Sequence, residues 1–100
     1  MQHGLDDSSI KWAINSVDKA PAFILSKAGF DVWLGNNRGN EFSEKHLNLN
    51  SKDEQFWEFD FEEMGIYDLP AFIDFILMKT NETNIIDKLA AYIGHSEGTT

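Results

Sequence analysis

The 100-residue chain has no cysteine, only two prolines and no cluster of Lys or Arg. Without Cys there is neither a disulfide framework nor a thiolate metal site in this stretch, and three His without ligand spacing give no metal and no cofactor to expect. Eight basic against seventeen acidic residues leave a formal charge of −9, which argues against a phosphate-backbone partner and against an anionic-membrane anchor. Nucleic acid is thus not an expected ligand. Asp74 interrupts the longest apolar stretch, Ala71 to Met78, well short of the ~18 apolar residues that span a bilayer. No basic-then-apolar leader follows Met1, so the expectation is either a cytoplasmic protein or a chain that is not the whole gene product. What is present is globular in character. An apolar content of 42% with 13% aromatics is too rich for a disordered chain, and the length allows one folded unit at most.

Residues 1 to 16 read as a polar loop with a short turn of helix. Pro21 to Ala28 reads as a helix, because Pro is tolerated in a first turn, Ala22, Phe23, Ile24, Leu25 and Ala28 supply an apolar face, and Gly29 ends it. Phe30 to Leu34, rich in aromatic and β-branched types and stopped by Gly35, reads as a strand. Residues 35 to 53 are loop-like, from GNNRGN to the Asx-type turn formers of LNLNSKD. Glu54 to Met64 fits either period: Glu58 to Glu62 alternates like a strand, while Phe56, Trp57 and Phe61 share a helical face, and we read a short helix with core aromatics and solvated acids. The clearest helix carries Leu69, Phe72, Ile73, Ile76 and Leu77 at helical spacing, behind Asp68 as cap and Pro70 in the first turn. A polar turn is expected at Asn81 to Asn84. Leu89 to Ile93 is then a continuous apolar run ending at Gly94, as for a parallel strand covered on both faces. The pattern of elements predicts an α/β fold.

Directly after that run comes Gly94-His95-Ser96-Glu97-Gly98, which is G-x-S-x-G at a strand end. A Ser on a sharp strand-to-helix turn projects its Oγ above the sheet, while the flanking Gly94 and Gly98 leave room for close backbone. The following helix brings N–H groups and a positive dipole end to the place where negative charge develops in acyl transfer. His95 is not a candidate base, because neighbours on such a turn point apart; it reads as a packing or hydrogen-bonding residue under the turn. His3-Gly4-Leu5 is similar to the HG-type oxyanion loop of hydrolases. Ser96 is therefore the candidate nucleophile, with the backbone N–H groups of Leu5 and Glu97 as oxyanion donors. Arg38 in GNNRGN lacks the spacing and the Lys of a phosphate loop, and is expected to pair with a carboxylate or bind loop carbonyls.

Four blocks carry a family resemblance: HGL, FDVWLGNNRGNEFSEKH, FWEFDFEEMGIYDLPAFIDFIL and GHSEGTT. Together they resemble consecutive signature blocks of the acid lipases, the gastric and lysosomal neutral-lipid hydrolases of the α/β-hydrolase fold, over essentially the whole chain. The resemblance implies a serine ester hydrolase acting at a lipid–water interface on triacylglycerols or sterol esters, with Ser96 as nucleophile and the Leu5 and Glu97 amides as oxyanion hole. It implies a secreted or lysosomal protein whose signal peptide lies upstream. This chain has Glu97 where the family usually has Gln, and a carboxylate beside a developing oxyanion opposes it unless it is protonated or turned away.

The family's triad order is Ser, then Asp or Glu, then His, so the triad Asp and His are expected outside this chain. Asp68 and Asp74 precede Ser96 and read as a helix cap and a solvated face; His3 and His46 are not in the base position. The strand expected just before HGL would lie between the two strands read above, and only Met1 and Gln2 are present to supply it. The sequence thus predicts a fragment of a single α/β-hydrolase domain truncated at both ends, with the order oxyanion loop, helix, strand, helices, strand, nucleophile elbow, an incomplete sheet and marginal stability in isolation. Asn81-Glu82-Thr83 is an N-x-T sequon and makes Asn81 a candidate glycosylation site. A non-catalytic remnant serving as an interaction module, and a small-ester hydrolase or thioesterase of the same fold, are the alternative functions. No motif bears on oligomeric state.

Overall fold

The computed structural model describes residues 1–81 and 88–100. A three-ten turn at Ser9–Trp12 leads to helix α1, Pro21–Lys27. A second three-ten turn, Glu54–Trp57, precedes a helical segment made of α2 (Phe61–Glu63), a π-helical stretch (Met64–Asp68) and α3 (Leu69–Asn81). A last three-ten turn covers Ser96–Thr99.

Helix α1 forms as its sequence predicts. Pro21 opens it, where its missing N–H is no loss, and Gly29 closes it at φ +96. Phe30 N–H donates to Leu25 O and Gly29 N–H to Ser26 O, the paired bonds that satisfy the last carbonyls when a left-handed residue follows a helix.

The second helical segment starts earlier than the apolar spacing suggests. Asp60, not Asp68, is its cap: the Asp60 carboxylate accepts Glu62 N–H at 2.7 Å, and Glu63 Oε2 accepts Asp60 N–H at 2.9 Å. This is the reciprocal box that D-x-x-E encodes. Pro70 consequently lies inside the helical run rather than in its first turn. It has no N–H to give Ile66 O, and its ring would crowd that carbonyl in a regular α-turn. The wide turn that precedes it, in which Leu69 N–H reaches back to Met64 O, is the geometry that accommodates it.

With the cap assigned elsewhere, Asp68 is free to serve another element. Its carboxylate takes Arg38 Nε at 2.9 Å and Nη2 at 2.7 Å, and also accepts the Arg38 backbone N–H at 2.9 Å. The guanidinium lies over the rings of Phe59 and Tyr67, each 5.7 Å away, and the Asp68 carboxylate holds it above its ordinary pKa. The loop of residues 35–40 is thereby tied to the π-helical stretch.

Among the described residues no strand forms, which corrects the two predicted at Phe30–Leu34 and Leu89–Ile93. Instead Gln2 makes isolated parallel bridges to Gly35 on one side and Gly94 on the other. Met1 and Gln2 run between the two segments: the Met1 amino group donates to Trp33 O, Gly35 N–H to Met1 O, Gln2 N–H to Ile93 O and His95 N–H to Gln2 O. A parallel ladder extends only as far as its shorter partner, and a two-residue centre gives each neighbour a single bridge.

Burial follows the same limit. Among the described residues only Ala20, Ala22 and Phe56 are buried apolar side chains; of the aromatics expected in the core at 56–61, Phe56 is buried as expected, while Trp57 and Phe61 are exposed. Phe56, Trp57 and Phe59 instead form a ring cluster with centroids 4.9 to 6.5 Å apart. The apolar face of α3, with Phe72, Ile73 and Ile76, looks across a cleft of about 910 Å³ toward Trp33, Leu89 and Ile93.

Asp68 is only 12% exposed, and removing it would strand both the guanidinium and the Arg38 N–H. Asp68→Ala is expected to lower stability by about 2 kcal/mol, while Asp68→Asn, which keeps an acceptor, costs less; midpoints of urea unfolding measure both.

Candidate active site

Ser96 occupies the left-handed region at φ +55, one of two non-glycine residues among those described to do so. The bridge to Gly94 ends one residue before His95, and the three-ten turn begins at Ser96, so the chain reverses over two residues. A β-carbon disfavours this conformation by roughly 1 to 3 kcal/mol, a cost sustained only where neighbours impose it. Here they do. A Cβ at Gly98 would lie 2.6 Å from both Gln2 O and His3 O, and one at Gly94 would strike the Gly98 carbonyl. Both glycines of G-x-S-x-G are thus required by backbone approaching backbone. Tyr92 Oη donates to Gly98 O at 2.6 Å and Thr99 Oγ1 to Ser96 O at 2.7 Å, pinning the turn from either end. Burial raises the pKa of the Tyr92 phenol, in keeping with its role as a donor. The Ser96 side chain itself is exposed.

The His3-Gly4-Leu5 segment lies directly against this turn. A Cβ on Gly4 would be 2.9 Å from Ser96 Cβ and 3.1 Å from His95 O, so the main chain of the front loop touches the serine. Leu5 is exposed, and its N–H donates to no group among the described residues. Glu97 lies in the first turn of the terminal three-ten helix, where N–H groups have no intrahelical acceptor. That helical turn spans Ser96–Thr99. The Glu97 side chain is partly buried, and its Oε2 has no hydrogen-bond partner among the described residues.

Behind the front loop is a buried polar layer. His3, 3% exposed, bonds Gly4 O through Nδ1 at 2.7 Å and receives the Asn37 N–H and the Asn40 Nδ2 at Nε2, each at 3.1 Å. Gln2 Nε2 donates to Asn37 Oδ1 at 2.9 Å, and Asn36 Oδ1 accepts from Asn40 Nδ2 and from Ser9 N–H. Sequence reasoning read GNNRGN as permissive turn backbone and missed this role. The available signal was the density of Asn, each with a donor and an acceptor, beside a histidine loop. Arg38 does pair with a carboxylate, as expected.

A cleft of about 530 Å³ opens beside the site, lined among others by Leu5, Asn40, Trp57, Phe59, Met64 and Glu97. The remaining candidate groups are engaged elsewhere. His46 Nδ1 accepts the N–H groups of Asn48 and Leu49, the His95 ring meets Trp12 edge-on at 6.4 Å, and Asp74 is exposed on α3. Among the described residues no group of three or more His, Asp or Glu is placed to hold a metal ion. Asn81 ends α3 in an exposed position, and the other two sequon residues, Glu82 and Thr83, lie outside the described residues, as does most of the predicted turn.

Gly98→Ala is expected to destabilise the protein by about 2 kcal/mol or more, because the obstacles to its Cβ are two carbonyl oxygens that cannot rotate away. Gly65→Ala is the contrast: nothing lies within 4 Å of its Cβ and it sits in the helical run, so it should stabilise by about 0.5 to 1 kcal/mol. Thermal or urea unfolding of both variants measures the difference.

The description "alpha/beta hydrolase fold" matches residues 1–100 of the chain. Over all 100 residues the chain is 48% identical to human lysosomal acid lipase/cholesteryl ester hydrolase, covering 24% of that protein. It is 48% identical to human lipase member J, covering 26%, and 49% identical to mouse gastric triacylglycerol lipase, covering 24%. The chain thus spans about a quarter of the length of the relatives it matches. A serine on a left-handed turn with an HG loop against it, and a match over the whole chain, lead to one conclusion: the chain belongs to the α/β-hydrolase fold family.

Proposed function

We infer that the protein to which this chain belongs is a serine ester hydrolase of the lipase type, acting on neutral lipid esters such as triacylglycerols or sterol esters. The observation that carries this is Ser96 at φ +55 with the Gly4 main chain against its Cβ. In this reading Ser96 Oγ attacks the acyl carbonyl while its proton passes to a base. The carbonyl oxygen becomes an oxyanion facing the N–H groups of Leu5 and Glu97. Collapse expels the alcohol, which takes the proton, and water then cleaves the acyl-enzyme to release the fatty acid. Glu97 contributes its main chain, so its side chain acts only indirectly. The base and its orienting acid, the triad His and Asp, come from polypeptide other than residues 1–100, which form part of a single α/β-hydrolase domain. The names of the relatives support this substrate class and a secreted or lysosomal location, and the same reading has the protein work at a lipid–water interface.

A fluorophosphonate probe tests the reading on the protein expressed from its complete reading frame. Ser96 is expected to be the labelled residue, and Ser96→Ala to abolish labelling and lower turnover by about a millionfold. Labelling of another residue, or activity that survives Ser96→Ala, overturns it. Asn81 carries an N-linked glycan in this reading. Asn81→Gln should then remove one glycosidase-sensitive increment of mass from the protein made in eukaryotic secretory cells.

A further inference from the structure

The histidine of the front loop is one of the most deeply buried polar side chains described, and the mechanism above gives it no role. Its surroundings fix its chemical form. Gly4 O can only accept, so Nδ1 must carry the proton of their 2.7 Å bond. Nε2 has two donors directed at it, the Asn37 main-chain N–H and the Asn40 side-chain amide, so it presents a lone pair. The Asn40 amide is itself oriented: its Oδ1 accepts Phe42 N–H at 3.0 Å, while its Nδ2 also donates to Asn36 Oδ1 at 2.9 Å. The imidazole is therefore held as the neutral Nδ1–H tautomer by groups from one loop, residues 36–40. That loop is in turn fastened to the π-helical stretch by Arg38 on Asp68.

The consequence falls on one peptide. In a trans peptide the C=O and the next N–H point in opposite directions. Holding the Gly4 carbonyl on His3 therefore aims the Leu5 N–H away from His3, on the other side of a main chain that touches Ser96. Leu5 is 65% exposed, and Asp6 follows at φ +51, so side-chain packing at Leu5 does little to hold this turn. A flip of the Gly4–Leu5 peptide would exchange a donor for an acceptor at the place where an oxyanion must be stabilised.

We propose that His3 is a positioning residue for the oxyanion site, and that Asn37 and Asn40, by holding His3 in its Nδ1–H form, clamp the Gly4–Leu5 peptide with its N–H toward Ser96. GNNRGN is then a brace for transition-state binding rather than a surface turn. The proposal rests on the serine hydrolase reading and deepens it.

The test again uses the protein from its complete reading frame. Nitrogen-15 NMR of the labelled histidines in the wild type should show His3 protonated on Nδ1 and bare on Nε2; the opposite tautomer overturns the proposal. His3→Leu removes the clamp and is expected to lower kcat and the rate of Ser96 phosphonylation together by about 10²- to 10³-fold, with KM little changed, the pattern of a lost oxyanion donor. His3→Asn can return an N–H to Gly4 O, and is expected to recover about tenfold or more of that loss, which a merely structural role would not favour. Wild-type protein labelled at Ser96 together with His3→Leu labelled at the same rate sinks the positioning role alone. Failure of the wild type to label at Ser96 sinks the hydrolase reading and this proposal with it. Should His3→Leu not fold, the tautomer measurement still decides.

Discussion

Two residues at the front of the chain, Met1 and Gln2, hydrogen-bond through their main chain to both of the segments that carry the site. Gln2 N–H reaches Ile93 O while His95 N–H returns to Gln2 O, and Gly35 N–H reaches Met1 O on the opposite edge. These bonds set the elbow, the front loop and the Asn-rich loop side by side. Gly98 adds a steric condition, because its α-carbon rests against the Gln2 and His3 carbonyls with no space for a side chain. Moving any of the three segments breaks a buried backbone bond or opens a gap, and each unpaired group costs on the order of 1 to 3 kcal/mol.

Around this main-chain junction the protein places polar rather than apolar mass. Among the described residues Gln2, His3, Ser8 and Asn37 are the buried polar side chains, against three buried apolar ones. Such a layer is stable only where its groups are paired, and those next to the site are: Gln2 with Asn37, Asn37 and Asn40 with His3, His3 with Gly4. Unlike apolar contact, a hydrogen-bonded layer dictates direction as well as proximity. Direction is what a hydrolase needs from its backbone donors, since a peptide turned the wrong way presents oxygen to oxygen.

Legibility differed from element to element for identifiable reasons. Helix α1 was readable end to end because Pro21 and Gly29 start and stop it locally. The start of the second helical segment was misplaced because Asp68 followed by Pro70 imitates a cap, although D-x-x-E at Asp60 to Glu63 was the stronger local signal. The strands at Phe30–Leu34 and Leu89–Ile93 had suitable composition but depend on a partner, and Met1 and Gln2 offer each a single bridge. The pairing of Arg38 with a carboxylate was readable in kind, but not that the carboxylate would be Asp68, which the helix register alone brings under the loop.

What the sequence determined by itself was chemical type and spacing: a serine between two glycines behind an apolar run, an HG pair near the front, and long signature blocks between them. Those features depend on side-chain identity and on neighbours one to four residues away, so they survive without knowledge of the fold. Only the tertiary structure decided that Gly4 lies on Ser96, that Gly98 faces Gln2 and His3, and that Asn37 and Asn40 bond His3 from more than thirty residues along the chain. Contacts of that separation are set by which backbone groups find partners in three dimensions, and no local periodicity encodes that choice.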